Sequence, residues 1–403
     1  KDLQTVGNKL EAGETGLSPQ DEFDAALFAN QLCGRVLNFK ANSYLKNRKN
    51  LKLMSRSVRL GMGAIRLALD EANLHAEHVN PDKFGVIVGA GLALGQSKDL
   101  VAGIRQSFDG NTFSSARFGE VGMRAINPLW LLKGLSNNVL GFATAELDAR
   151  GFNQNYCNSG ISGLQAIAEG AWALHERRAE IIVAGGSDSG IDPFHYAGFS
   201  RLRALSHAKT SKDVTSFGGT RDGFVLGEGA AYFVLAPENH PAASGSVLGR
   251  ILGMSTMTCA EDPLGGESVV VKACIERSLQ LAGITTRDIG AIIAHGNGSK
   301  RFDRIESEGI AATFGANCPP VTTNKPQLGH TLAASGPISL ACALYAGQMG
   351  RVPPISNLES LAADCADIDV VTNNPRSISS PIIIIFAAGL GGQISSLLVE
   401  VNQ

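Results

Sequence analysis

The chain has 403 residues, 44% hydrophobic and 18% charged, an apolar share that excludes intrinsic disorder. Lysine and arginine number 35 against 37 aspartates and glutamates, a formal charge of −2, which excludes nucleic-acid binding through global charge. Glycine fills 47 positions against 15 prolines with no repeat period, the signature of many tight strand-to-helix turns in a large α/β enzyme.

In chain order, the opening KDLQTVGNKLEAGE has no basic segment running into an apolar one, so no secretory signal is expected. From Ala41 to Leu69 come seven cations (Lys46, Arg48, Lys49, Lys52, Arg56, Arg59 and Arg66) and no acid, a local basic stretch on a balanced chain. Helical spacing runs over 58–74, and a strand follows at 84–91, FGVIVGAG. Its turn places Gly89, Gly91 and Gly95 as GxGxxxG, one residue too long for a dinucleotide loop, which argues against a nicotinamide-dependent oxidoreductase. A polar strand ends at Cys157, and a helix rich in small residues spans 160–179. Apolar runs at 179–188, 229–237, 249–255 and 289–298, like that at 84–91, read as strands buried on both faces of layered sheets. Two more helices are expected at 268–284 and 336–350. The polar PENHPAASGS (237–246) is the expected seam between an N-terminal half, 1–245, and a C-terminal half, 246–403. A glycine-rich turn beside a small-residue helix occurs in each half and hints at duplication. The tail PIIIIFAAGLGGQISSLLVEV, 381–401, has glycines, serines and a glutamine at its centre, which suits two buried strands around a turn and not a membrane span.

Seven scattered cysteines without a CxxC pair imply no disulfide framework and no structural zinc, so no metal is expected and a reducing cytosol fits. Cys157 differs from a buried structural cysteine in its strand–Cys–helix setting, where the positive end of a helix favours thiolate. His295 closes the strand IGAIIAH and is followed by glycine, and His330 lies between the strand-like PVTT and a helix starting near Leu332. Active sites in layered α/β folds assemble at the ends of buried strands. His75, His78, His175 and His240 lie in polar surroundings and read as solvated. One thiol and two imidazole N–H donors together suggest acyl chemistry on thioesters.

These residues carry a resemblance that runs over nearly the whole chain. YCNSG, TRDGFVLGEGAA (220–231), AHGNGSKRFDRIE, NKPQLGHTLAASG and GLGGQISSLLVE resemble the successive motifs of elongating β-ketoacyl-acyl-carrier-protein synthases, condensing enzymes of the thiolase fold. VGNKLEAGETGL resembles the family's sequence just after its first strand, so that strand is expected before Lys1. The resemblance implies a layered αβαβα fold of two similar halves with the active site between them. It implies a decarboxylative Claisen condensation: acyl transfer from carrier-protein phosphopantetheine to Cys157, then attack by the carbanion of a malonyl carrier-protein thioester. His295 and His330 would stabilise the enolate, with Lys325 and Glu306 as a supporting charge pair and Asp303 in the same motif. The N–H groups of Cys157 and Leu390 would form the oxyanion hole. Asn297 and Ser299, standing where the family has threonines, would touch the pantetheine arm. Leu135, Phe199 and Leu390 would line the acyl pocket, and Lys49, Lys52 and Arg203 would meet the acidic carrier protein. No tightly bound cofactor is implied. The expected partners are the carrier protein and a second synthase-like subunit, identical or related, with no nucleic acid and no membrane.

The departures surround the pockets. Leu328 replaces the threonine before GH, Leu390 the gating aromatic of GFGG, and Gly218 the aspartate after Phe217, which suggests a polyketide or polyene branch over housekeeping fatty-acid elongation. A thiolase would need a second active-site cysteine near the C-terminal glycine turn, and none follows Cys365. The main rival is a non-catalytic partner subunit of the chain-length-factor kind, against which the retained Cys157, His295 and His330 speak.

Overall fold

The computed structural model describes residues 3–24, 28, 30–92, 96–241, 247–260 and 266–402. The expected seam falls partly on 242–246, the half boundary lies there too, and Gly95 of the glycine turn also stands outside the described residues.

Two mixed sheets organise the chain. The first holds β1 (Phe84–Ala90), β2 (Gln154–Tyr156), β3 (Ile181–Ser189) and β4 (Glu228–Leu235) in the order β2-β1-β3-β4, parallel except for the β3–β4 pair. The second holds β5 (Gly249–Thr258), β6 (Ile289–Ile293), β7 (Val321–Thr322), β8 (Ile382–Gly389) and β9 (Gln393–Val401) in the order β7-β6-β8-β9-β5. β7, β6 and β8 are parallel, and β9 and β5 are antiparallel to their neighbours. The apolar tail is therefore the β8–β9 hairpin, paired from Ile382 with Glu400 to Gly389 with Gln393. Among the described residues no helix is long and apolar enough to cross a membrane.

The helices that cover these sheets are α1 (Leu3–Glu11), α2 (Arg56–Glu71), α3 (Ser97–Gln106), α4 (Asn138–Leu147), α5 (Ser162–His175), α6 (Pro193–Arg201), α7 (Ser268–Ala282), α8 (Lys300–Phe314) and α9 (Ser335–Met349). One buried cluster joins α5 and α9 to the inner faces of both sheets through Ile87, Leu164, Ile182, Leu340, Ile383 and Leu397. A second packs α7 and α8 on the outer face of the second sheet, and a third packs α2 and α4 on the outer face of the first. The sequence of layers is thus α, β, α, β, α. Small residues let the central helices approach: a Cβ on Gly163 would stand 2.3 Å from the Ala333 carbonyl oxygen, and one on Gly336 2.6 Å from Leu164 Cβ.

The central strands β1, β3 and β6 are buried along almost their whole length, as their unbroken apolar runs imply. The runs at 229–237 and 249–255 are not. They form β4 and β5, the outer strands of their sheets, and much of each is only half-buried or exposed. An apolar run alone does not separate a central strand from an edge strand.

Candidate active site

Three strand ends converge where the sheets face each other. β2 delivers Cys157, which is followed by a tight turn in which Ser159 has φ +53° and then by α5. β6 delivers His295, and the segment between β7 and α9 delivers Lys325 and His330. The turn after Cys157 abuts the end of β8: a Cβ on Gly160 would lie 2.2 Å from the Ala388 carbonyl oxygen. Ala388 N–H in turn donates to His295 Nδ1 at 3.1 Å, and the rings of His295 and His330 stand 5.2 Å apart at 80°. Ala333 N–H, three residues beyond His330, donates to Asp188 Oδ2 at 3.2 Å, and the Asp188 charge acts on the Cys157 thiol. The two imidazoles are thus in ring contact, and the turn after Cys157 meets the end of β8 at Ala388, the residue whose N–H holds His295.

The imidazoles are buried, 2% and 5% exposed, and their tautomers are fixed by what they accept. His295 Nδ1 accepts from Ala388, and His330 Nδ1 accepts from Leu332 N–H at 3.2 Å and lies 2.9 Å from Ser335 Oγ. Each proton consequently sits on Nε2. Burial drives both rings well below the ordinary histidine value, and the nearby Lys325 charge pushes the same way. The site holds two neutral Nε2–H donors.

Lys325 and Glu306 support His295 in a way that differs from the expected charge pair. Among the described residues no ion-pair contact joins them. Lys325 Nζ donates to the His295 carbonyl oxygen, while Glu306 accepts from His295 N–H at 2.6 Å and Gly296 N–H at 2.8 Å. The two side chains grip opposite ends of the same backbone segment and feel each other only through space. Burial lifts Glu306 to about 7 against those N–H bonds, and lowers Lys325 to about 8 against the Glu306 and Asp303 charges. Asp303, also fully buried, accepts from Phe217 and Gly298 N–H and is raised to about 6 by burial. It anchors the loop after His295 to the Phe217 turn, where Phe217 itself has φ +59°.

Cys157 is exposed, and its Sγ donates to the Gly91 carbonyl oxygen at 2.9 Å. The expectation of a thiolate at the helix start needs correction. Desolvation raises the thiol above its ordinary value, the Ser136 hydroxyl pulls it down, and Asp188 raises it further. The turn at 159–161 separates Cys157 from the first residue of α5, which weakens the effect of that helix end on the thiol. Of the two expected oxyanion donors, Leu390 N–H is turned to Ser159 Oγ at 3.3 Å.

The remaining predicted residues fall in distinct places. Asn297 Oδ1 accepts from Ser299 N–H, and Ser299 Oγ caps α8 at Phe302 N–H, so both form the turn that launches that helix. Leu135 lines a cavity of about 550 Å³ beside Gly91. Phe199 and Leu390 pack elsewhere, in a cluster with Phe224, whose ring stands edge-on to His330 at 4.9 Å. The three expected acyl-pocket residues do not share one wall. Lys49 and Lys52 are exposed on a short turn at Arg48–Leu53, and Arg203 is exposed just past α6. Of the other cations in the basic stretch, Arg56 pairs with Glu228 and Arg66 with Asp70. Sequence reasoning missed Asp188, Ser136 and Ser335. Only the placement of Ser335 five residues after His330 in the same motif offered a signal.

The family model for the β-ketoacyl synthase N-terminal domain matches residues 2–240, and that for the C-terminal domain matches 256–359. The chain is 27% identical to 3-oxoacyl-[acyl-carrier-protein] synthase 2 of Coxiella burnetii, over 99% of this chain and 96% of that protein. It is 26% identical to the oxytetracycline polyketide putative beta-ketoacyl synthase 1 of Streptomyces rimosus, over 97% and 91%. In fold it is similar to the ishigamide ketosynthase/chain length factor, with TM-score 0.88 and 22% identity over 99% of this chain and 95% of that one.

Proposed function

This chain belongs to the β-ketoacyl synthase family, whose acyltransferases serve fatty-acid and polyketide synthesis, and we propose that it performs a decarboxylative Claisen condensation on Cys157. The observation that carries this reading is the pair of buried imidazoles held as neutral Nε2–H donors 5.2 Å apart, beside the strand end that the turn after Cys157 abuts. Two neutral donors on rings this close suit a developing enolate oxygen and would be wasted on a cation.

In the first step the Cys157 sulfur attacks the carbonyl carbon of an acyl carrier-protein thioester. The new S–C bond forms as the pantetheine sulfur leaves, and the thiol proton passes to the departing sulfur. In the second step a malonyl carrier-protein thioester loses CO₂, and the electron pair of the broken C–C bond moves onto the thioester oxygen, where His295 and His330 donate. The enolate carbon then attacks the Cys-bound carbonyl, and collapse of the tetrahedral oxyanion returns the electron pair to Cys157 sulfur, which regains a proton. Release of Leu390 N–H from Ser159 would complete the oxyanion hole with Cys157 N–H. Lys325 and Glu306 act as positioning residues through the His295 backbone.

The phosphopantetheine arm arrives with its carrier protein as substrate. Lys49, Lys52 and Arg203 are the cations proposed to meet that acidic partner. A dimer, with an identical or related subunit, is supported by the exposed apolar side chains Leu92, Phe108, Phe113, Met123, Leu131 and Leu135 between positions 92 and 135. The test is intact-mass measurement after incubation with an acyl carrier-protein thioester. The wild type gains one acyl group and Cys157→Ala gains none. An absence of any Cys157-dependent adduct removes the condensing reading and favours a non-catalytic partner subunit.

A further inference from the structure

The 550 Å³ cavity reaches the surroundings of the thiol, because Gly91, whose carbonyl accepts Cys157 Sγ, and Ser136, whose hydroxyl acts on that thiol, both line it. Leu92, Val101, Ile191 and Pro193 form an apolar wall. A space of this size beside the acylated atom is where the acyl chain would lie, and a hydrocarbon chain would be matched by apolar walls throughout. This cavity is not apolar throughout.

The same cavity is lined by His195, on α6, and Arg59, on α2. His195 is 8% exposed, and its Nδ1 has no hydrogen-bond partner among the described residues. Arg59 donates through Nη2 to the Leu51 carbonyl oxygen at 2.8 Å, yet its Nε is buried and likewise unpartnered. Beside them the Arg56–Glu228 pair is already satisfied: Arg56 Nη2 donates to Val36 O and to Glu228, and Glu228 also accepts from Ser189 Oγ and Val36 N–H. The polar wall therefore contains two nitrogens whose hydrogen-bonding capacity none of the described residues uses. Covering such a group with hydrocarbon leaves it buried and unsatisfied, which disfavours that arrangement.

We propose that the acyl group accepted on Cys157 carries a hydroxyl at its far end, and that His195 is the residue that selects it by hydrogen bonding through Nδ1. A hydroxyl both donates and accepts, so it satisfies the imidazole Nδ1 in either tautomer. The inference rests on the condensing reading, since it names the acyl substrate of that same site.

The experiment compares straight-chain acyl pantetheine thioesters with their ω-hydroxyacyl counterparts over a range of chain lengths, reading the rate of Cys157 adduct formation by intact mass. The wild type should favour the hydroxylated ester by at least about tenfold at the length that reaches His195, since a site built around a hydroxyl discriminates strongly against its absence. In His195→Leu that ratio should fall to near one, and His195→Gln, which keeps a polar atom, should restore part of it. Equal rates, or a preference for the plain ester at every length, would overturn the proposal while leaving the condensing reading intact. An unchanged ratio in His195→Leu overturns the assignment to His195. If neither ester labels Cys157, the condensing reading fails and the proposal falls with it.

Discussion

Between β2 and α5 the chain presents Cys157, and between β7 and α9, at the matching place in the second sheet, it presents His330. The next matching pair lies after β1 and β6, where one half offers only the Gly91 carbonyl and the other offers His295. One topology thus holds two kinds of chemistry. The first half leaves its group exposed on a turn with a positive φ, as the proposed acyl transfer requires. The second buries its groups and ties each by backbone N–H bonds, which fixes tautomer and charge at once. Burial is what separates them: a nucleophile needs access, whereas a donor to a developing oxyanion gains strength when water is kept away.

The sharpest way to break that division is to remove the second half's donors alone. His295→Ala and His330→Ala should each slow product formation by about 100- to 1,000-fold, as loss of an oxyanion donor does, while the Cys157 acyl adduct still forms. Measuring adduct mass and condensation rate on the same samples checks this. If both fall together, the halves do not divide the labour.

The support of His295 predicts a smaller effect with its own signature. Glu306→Gln keeps an acceptor for one N–H and leaves the other unpaired in the core, and should lower stability by about 1–3 kcal/mol in chemical denaturation. Lys325→Met instead removes the donor to the His295 carbonyl. Both should reduce condensation more than adduct formation. Equal loss of the two activities would show that these residues serve the whole fold and not the second half's donors.

Where the halves meet, Gly160→Ala puts a methyl group 2.2 Å from the Ala388 carbonyl oxygen, a backbone atom that cannot turn aside. Overpacking of this kind costs about 1–3 kcal/mol. Because Ala388 also holds His295 Nδ1, the substitution should impair condensation as well as stability. A melting curve and a condensation assay on the variant check both parts.

What the sequence reveals differs between the halves for the same physical reasons. Unbroken apolar runs disclose β1, β3, β6 and the tail hairpin, because burial on both faces leaves a plain signature. They overstate β4 and β5, since a run of apolar residues is compatible with a sheet edge. α8 is less legible, its first turns carrying the charged KRFDRIE, and two of those charges, Asp303 and Glu306, prove to be buried against backbone N–H groups. Cys157, His295 and His330 are readable from their places at strand ends. That Lys325 and Glu306 hold one peptide from two sides, and do not pair, depends on contacts between separate elements. His195 gave no signal at all: a lone histidine in DPFHYAGF resembles any other until the cavity around it is seen.

The smallest effect concerns the thiol itself, where a local rule and a tertiary one disagree. Proximity to a helix start argues for a lowered value, yet the intervening turn displaces Cys157 from α5, and desolvation together with the Asp188 carboxylate raises it. A thiol with a raised value is protonated at neutral pH, and its reactivity follows the small thiolate fraction. Alkylation of Cys157 by iodoacetamide, followed by mass, should therefore climb about tenfold per pH unit through neutrality and show no plateau below the ordinary thiol value. Asp188→Asn removes the charge that raises the thiol and should lift the rate at any fixed pH below that value. A plateau already present at neutral pH would mean that the helix start dominates after all, and that the first half, like the second, is set electrostatically for its task before substrate arrives.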